Sequence, residues 1–176
     1  MRIRTVVISL ASLIPALLLS ACGYHVGGKA DTVPKSVQTI AVIPFGNNTT
    51  RYQLTDKLPQ AIARELVART RYQVVNDPNN SDAVLSGAVK QVYLAPALID
   101  PSSGKTTGTE VVVLLAISLK ERATGKVLYS QPNLAVRNTY ESSVDARQYF
   151  DESSSAADRL SRDLARSVVS GILENF

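Results

Sequence analysis

The 176-residue chain has one cysteine, one histidine, one methionine and no tryptophan. Each shortage excludes something. A lone thiol forbids an intrachain disulfide. One cysteine and one histidine leave a zinc site short of its usual nitrogen and sulfur ligands. The same shortage removes Ser-His-Asp and Cys-His catalysis. The only imidazole, His25, lies in a polar stretch with Gly23, Gly27 and Gly28, a poor scaffold for a preorganised base. Those glycines do not form a phosphate loop either, since no strand precedes them and no helix follows. Asp151 and Glu152 are the one obvious acid pair, and acids just before a helix serve its N-terminal dipole. The chain therefore reads as a non-enzyme without a metal or a dissociable cofactor. Charge of one sign is also scarce: 19 Lys and Arg face 15 Asp and Glu, a balance that disfavours nucleic acid as a partner. Long hydrophobic runs are missing too. The apolar stretch 6–19 is about 14 residues and contains Pro15, short of the roughly 20 that a spanning helix needs.

What that short stretch does have is the right neighbours. Arg2 and Arg4 precede it, and Leu19-Ser20-Ala21-Cys22 closes it. A charged start, a short apolar run and small residues at a cut site are the layout of a secretory signal peptide. The closing tetrad resembles a bacterial lipobox, in which the cysteine takes a diacylglycerol and an N-acyl chain and becomes the first residue. Residues 1–21 are then a lipoprotein signal peptide, and Cys22 is the lipidation site. Residue 23 is Gly, not the Asp that retains such lipoproteins at the inner membrane. The expected address is the periplasmic face of the outer membrane, with the chain anchored by lipid. Each buried acyl CH₂ contributes roughly 0.8 kcal/mol, so several chains make a durable anchor. Losing Arg2 and Arg4 leaves 17 basic residues against 15 acids, a mature charge of about +2.

Residues 22–36 read as the lipidated N-terminus and a Gly-bearing tether. Residues 37–176 read as one domain, long enough for a real core. A β-branched strand is expected at 37–45, ended by Pro44, Gly46 and Asn47. Leu54, Leu58, Ile62 and Leu66 recur every fourth residue and predict a helix over about 51–70. Pro59 sits in its first turn if Asp56 is the cap, and kinks it if the helix starts near Thr50. A short strand at 72–75 and a strand at 83–94 follow, with Gly87 as a candidate bulge. Residues 96–108 read as an exposed loop. Residues 109–120 form the strongest strand pattern. Gly125 suits a hairpin turn with φ > 0, and the return strand breaks at Pro132. The last helix, about 152–175, buries Ala156, Ala157, Leu160, Leu164, Val168 and Ile172. Its i, i+4 pairs Asp158–Arg162 and Arg159–Asp163 read as solvated charges. Strands clustered between two helices predict an α+β two-layer sandwich, with both helices on one face of a mostly antiparallel or mixed sheet of about four strands.

One detail bears on function. Val111, Val113, Leu115, Ile117 and Leu119 alternate toward the core, while Val112, Leu114 and Ala116 point the other way. Two helices cover one face of a sheet. A half-apolar second face either reflects ordinary scatter of surface residues or marks a partner-facing surface at Val112 and Leu114.

Several segments carry a resemblance: Cys22-Gly23-Tyr24-His25-Val26, Val33-Pro34, the strand Thr39-Ile40-Ala41-Val42-Ile43-Pro44-Phe45 with Asn47-Asn48-Thr49-Thr50, Arg69-Thr70-Arg71-Tyr72-Gln73-Val74-Val75, Asp82-Ala83-Val84-Leu85-Ser86-Gly87, and Arg122-Ala123-Thr124-Gly125-Lys126-Val127-Leu128. In this order they resemble the lipopolysaccharide-assembly lipoprotein family, LptE. The resemblance implies a plug inside the outer-membrane β-barrel LptD, binding of lipopolysaccharide, and help with its assembly at the outer leaflet. It further implies basic residues near loop tips that meet lipopolysaccharide phosphates, for which Lys105, Arg137 and Arg147 are the available positions. Other envelope lipoproteins share the apolar strand ending in Pro-Phe. The alternative is thus a periplasmic activator or regulator of the peptidoglycan-synthase-activator or curli-secretion type. A carboxylate-dependent hydrolase is a weaker rival.

Overall fold

The computed structural model describes residues 34, 36–104, 106–141 and 154–174. The elements run β1 (Thr39–Val42), β2 (Gly46–Asn47), α1 (Tyr52–Arg69), β3 (Gln73–Val75), β4 (Ala83–Ile99), β5 (Thr106–Glu121), β6 (Val127–Glu141) and α2 (Ser154–Glu174), with a 3₁₀ turn at Pro78–Asn80. The sheet order is β3-β1-β4-β5-β6, with β2 also paired to β4. The short strands pair in parallel, while β4, β5 and β6 form a long antiparallel meander. The architecture is the expected α+β, two helices on a mixed sheet, but the sheet has six strands and not about four.

The core is built by the alternation read from the sequence. Val111, Val113, Leu115, Ile117 and Leu119 of β5 are buried together with Leu58, Ile62 and Leu66 of α1 and Leu164, Val168 and Ile172 of α2. Each such side chain contributes on the order of 1.5–3 kcal/mol of burial. The helix α1 starts at Tyr52 and runs through Pro59, so Pro59 lies well inside it. The acids of the expected pairs on α2 bond to other elements, Asp163 also pairing with Arg166 on α2 itself at 3.4 Å. Asp158 accepts from Lys57 of α1 at 2.6 Å, and Asp163 accepts from the Tyr140 hydroxyl of β6 at 2.8 Å. These acids tie α2 to its neighbours because the facing elements present donors at closer range than the next turn does.

Three expectations change. The irregularities in β4 fall between Val89 and Gln91, between Pro96 and Leu98, and between Leu98 and Ile99, not at Gly87. Gly87 serves packing instead: a Cβ there would meet the Phe45 ring and the Ala116 carbonyl oxygen, each at 2.7 Å. Residues 96–108 are mostly strand, since β4 continues through Pro96 to Ile99 and β5 begins at Thr106. Nor does Pro132 end its strand. β6 is continuous, and its register against β5 shifts between the pairs Leu115–Leu134 and Ile117–Gln131. A bulge on an outermost strand accommodates a proline that has no N–H to give. Gly125 does adopt φ of 70° in the β5–β6 turn.

Candidate interaction surface

The long meander sets the surface. Near the β4–β5 turn the burial of β4 lapses, and Pro96–Ile99 are all exposed. Leu98 is 44% and Ile99 62% exposed, with Tyr93 at 41% further along the strand. From Val92 to Ile99 no residue is charged or hydrogen-bonds through its side chain except Tyr93. This apolar collar leads into a polar tip. Asp100 accepts from the Ser102 N–H at 2.8 Å, the Ser102 hydroxyl at 2.6 Å and the Ser103 N–H at 3.4 Å. The Gly104 N–H closes the turn onto the Asp100 carbonyl at 2.8 Å. Gly104 has φ of 67°, the left-handed region that glycine takes without strain. The Ser102 hydroxyl, then the Ser102 N–H, hold the Asp100 carboxyl down to about 2. The turn is therefore preorganised around an Asp100 carboxylate that is ionised at neutral pH.

The second sheet face meets this arm. Register places Tyr93 of β4, Val112 of β5 and Arg137 of β6 in one cross-strand row. Arg137 is 61% exposed at its side chain, and its Nη1 lies 3.7 Å from Glu110 Oε2. Val112 is 1% exposed, and Leu114, between Gln91 and Ala135, is half-buried. Further along the face the rows are small and flat: Ala88 beside Ala116, and Ser86, Ser118 and Ser130 abreast. The face therefore has rows of small residues in its middle, crossed by the Lys90 side chain that donates to Asn133 at 2.7 Å, and carries an aromatic and an ion pair at the arm end.

A cavity of about 200 Å³ lies under the same end, between the start of α1, the first turns of α2, and β4 and β5. Leu54, Val92, Leu94, Val111, Ala157 and Leu160 line it, and Arg51 stands among the residues at α1's N-terminal end. Among the described residues, no group of three or more His, Cys, Asp or Glu is placed to hold a metal.

Of the residues singled out from the sequence, Arg137, Val112 and Leu114 share this face, with Arg137 beside Val112 in the register. Cys22, Lys105 and Arg147 lie outside the described residues. Sequence reasoning missed Glu110 as the partner of Arg137, and it missed the Leu98–Ile99 collar by reading Pro96 as the start of a loop. The uncharged run from Val92 to Ile99 was the available signal for a strand.

The family model for lipopolysaccharide assembly, LptE, matches residues 37–172. No curated protein matches the sequence. Among solved structures, a PelC variant dodecamer from Paraburkholderia phytofirmans is 20% identical with a TM-score of 0.51, covering 78% of this chain and 89% of that one. The hypothetical protein CT253 from Chlamydia trachomatis is 11% identical with a TM-score of 0.49, covering 77% and 98%. The rare lipoprotein B from Shewanella oneidensis is 14% identical with a TM-score of 0.44, covering 75% and 91%. The PelC likeness is one of fold. The family match spans every element from β1 to the last turns of α2, and the chain belongs to the LptE lipopolysaccharide-assembly family.

Proposed function

We propose that this family member is a non-catalytic outer-membrane lipoprotein, held at the periplasmic face through acyl chains on Cys22. There it sits as a plug in the LptD β-barrel and helps lipopolysaccharide reach the outer leaflet. The observation that carries the reading is the family match over residues 37–172. The physical features agree with it. A plug needs a face that lies close against a wall, and the small residues Ala88, Ala116, Ser86 and Ser118 permit close approach. It needs an arm that reaches into the passage, and the β4–β5 hairpin extends its strands past the buried part of the sheet. Leu114, with Tyr93 and Arg137 flanking the buried Val112, forms the partner-facing part of the sheet. Arg137 is a described cation on that face, as is Lys90, and Lys105 and Arg147 are proposed to join Arg137 against phosphates, as charge-assisted contacts. Glu110 holds the Arg137 guanidinium near the face.

The test is lipopolysaccharide binding by the full-length lipoprotein in detergent. The triple reversal Lys105→Glu, Arg137→Glu, Arg147→Glu is expected to weaken binding about tenfold or more, with the thermal unfolding temperature little changed. Undiminished binding overturns the residue assignment.

A further inference from the structure

We propose that the groove between α1 and the edge strand β3 is a second docking site, which takes an extended segment of a partner protein carrying a lysine or arginine. It encloses about 570 Å³, inside the roughly 300–1,000 Å³ range of ligand sites. It is remote in sequence from the arm, being lined by β1, β3 and the middle of α1.

Three observations define its occupant. First, the sheet ends here. β3 is the outermost strand and only three residues long, and its last pair is Val75 with Ala41. Beyond that pair, among the described residues, the 42–47 segment has a strand on its β4 side alone. A short edge with a helix standing alongside it is the arrangement by which extended peptides add to sheets. Second, part of the wall is apolar: Val42, Phe45, Pro59, Ala63, Val74 and Val75 line the groove beside its polar residues. Alternate side chains of an added strand fit such pockets.

Third, the one charged group and the backbone groups left without a donor are acceptors, beside the amides of Gln60 and Asn76. Asp56 is the only titratable residue among those that line the groove, and it is exposed. Thr55, also in the lining, has Pro59 four residues on in the helix. Proline has no N–H, so the Thr55 carbonyl lacks its helical donor. Pro44, at the edge, likewise withholds a donor while keeping its carbonyl. A carboxylate with a carbonyl one residue before it, and no cation among the lining residues, complements an ammonium or guanidinium group. The occupant's backbone supplies N–H groups to the edge, and its basic side chain answers Asp56.

The proposal is independent of lipopolysaccharide binding, because none of these residues belongs to the arm or the face of Arg137. The probes are a blocked Val-Lys-Val-Lys-Val peptide and its Val-Glu-Val-Glu-Val counterpart, titrated into the full-length lipoprotein in detergent micelles. Binding is read from backbone amide shifts at Val42, Ala63 and Val75. The lysine peptide is expected to saturate these shifts, and the glutamate peptide to bind at least about tenfold more weakly. Asp56→Lys, at an exposed position, is expected to reverse that preference. Pro59→Ala supplies a donor to the Thr55 carbonyl and is expected to weaken the lysine peptide while the fold is retained. Equal binding of the two peptides, shifts confined to other faces, or an Asp56→Lys variant with unchanged preference overturns the proposal.

Discussion

Single residues decide how closely the layers approach. Gly87 packs between the Phe45 ring and the Ala116 carbonyl, and a carbonyl in a sheet ladder does not swing aside. Gly87→Ala is expected to cost about 1–3 kcal/mol through overpacking, measured by urea unfolding. The sequence shows a glycine inside a strand but not which atom fills its vacancy, so a bulge and a close contact read alike. Asp82 is the second decisive residue. Its Oδ2 accepts from the Gln38 N–H, the Thr39 N–H and the Thr39 hydroxyl, each at 2.9 Å. The Gln38 and Thr39 backbone bonds are the chief reasons its pKa is lowered, with the Arg122 charge a smaller one. Asp158, bonded to Lys57, is lowered as well, and Asp100 falls to about 2. A depressed carboxylate pKa stabilises the fold at pH values above the unfolded value, about 3.9, and that stabilisation is lost as pH falls through the folded values. Stability is therefore expected to decline from about pH 4 downward. Asp82→Asn is expected to flatten this acid limb, as read by chemical unfolding at stepped pH. An unchanged limb assigns the acid loss to other groups.

At the level of elements, apolar periodicity was the most legible signal. The stripes on α1 and α2, and the alternation on β5, appear as buried faces of the core. Leu164, fully buried at the centre of α2, is expected to lose about 2–5 kcal/mol on Leu164→Ala, with the m-value unchanged in urea unfolding. Prolines were the least legible. Pro96 and Pro132 read as breaks, yet β4 and β6 continue past them, while α1 runs through Pro59 as the stripe over 51–70 predicts. The reason is physical. A missing N–H costs little where a strand edge or a bulge leaves that donor unused. Within α1 the buried stripe outweighs one lost bond, because tertiary packing supplies most helical stability. The helix charges were misread for a related cause. Spacing along one helix reveals its own i, i+4 neighbours, but Lys57 and Tyr140 reach α2 from elements that spacing does not place.

For the whole molecule, the sequence carried the fold class and the family, while the functional face was legible only in part. Arg137 and Val112 were singled out separately, and the register puts them side by side with Tyr93 and near Glu110. The shape that results is a two-layer body from which the tip of the β4–β5 hairpin extends, with rows of small residues on the second sheet face. In the proposed account the acyl chains on Cys22 hold this body beside the barrel that receives it, and the arm follows into the lumen. Because the fold also occurs in a PelC dodecamer, fold alone does not choose between a plug and a ring. Co-purification does. The tagged full-length lipoprotein is drawn from solubilised outer membrane, and its companions are identified by mass spectrometry and sized by native gel. The account predicts a stable complex with a single large lipopolysaccharide-assembly β-barrel. A homo-oligomeric ring, or recovery with a peptidoglycan synthase and no barrel, contradicts it.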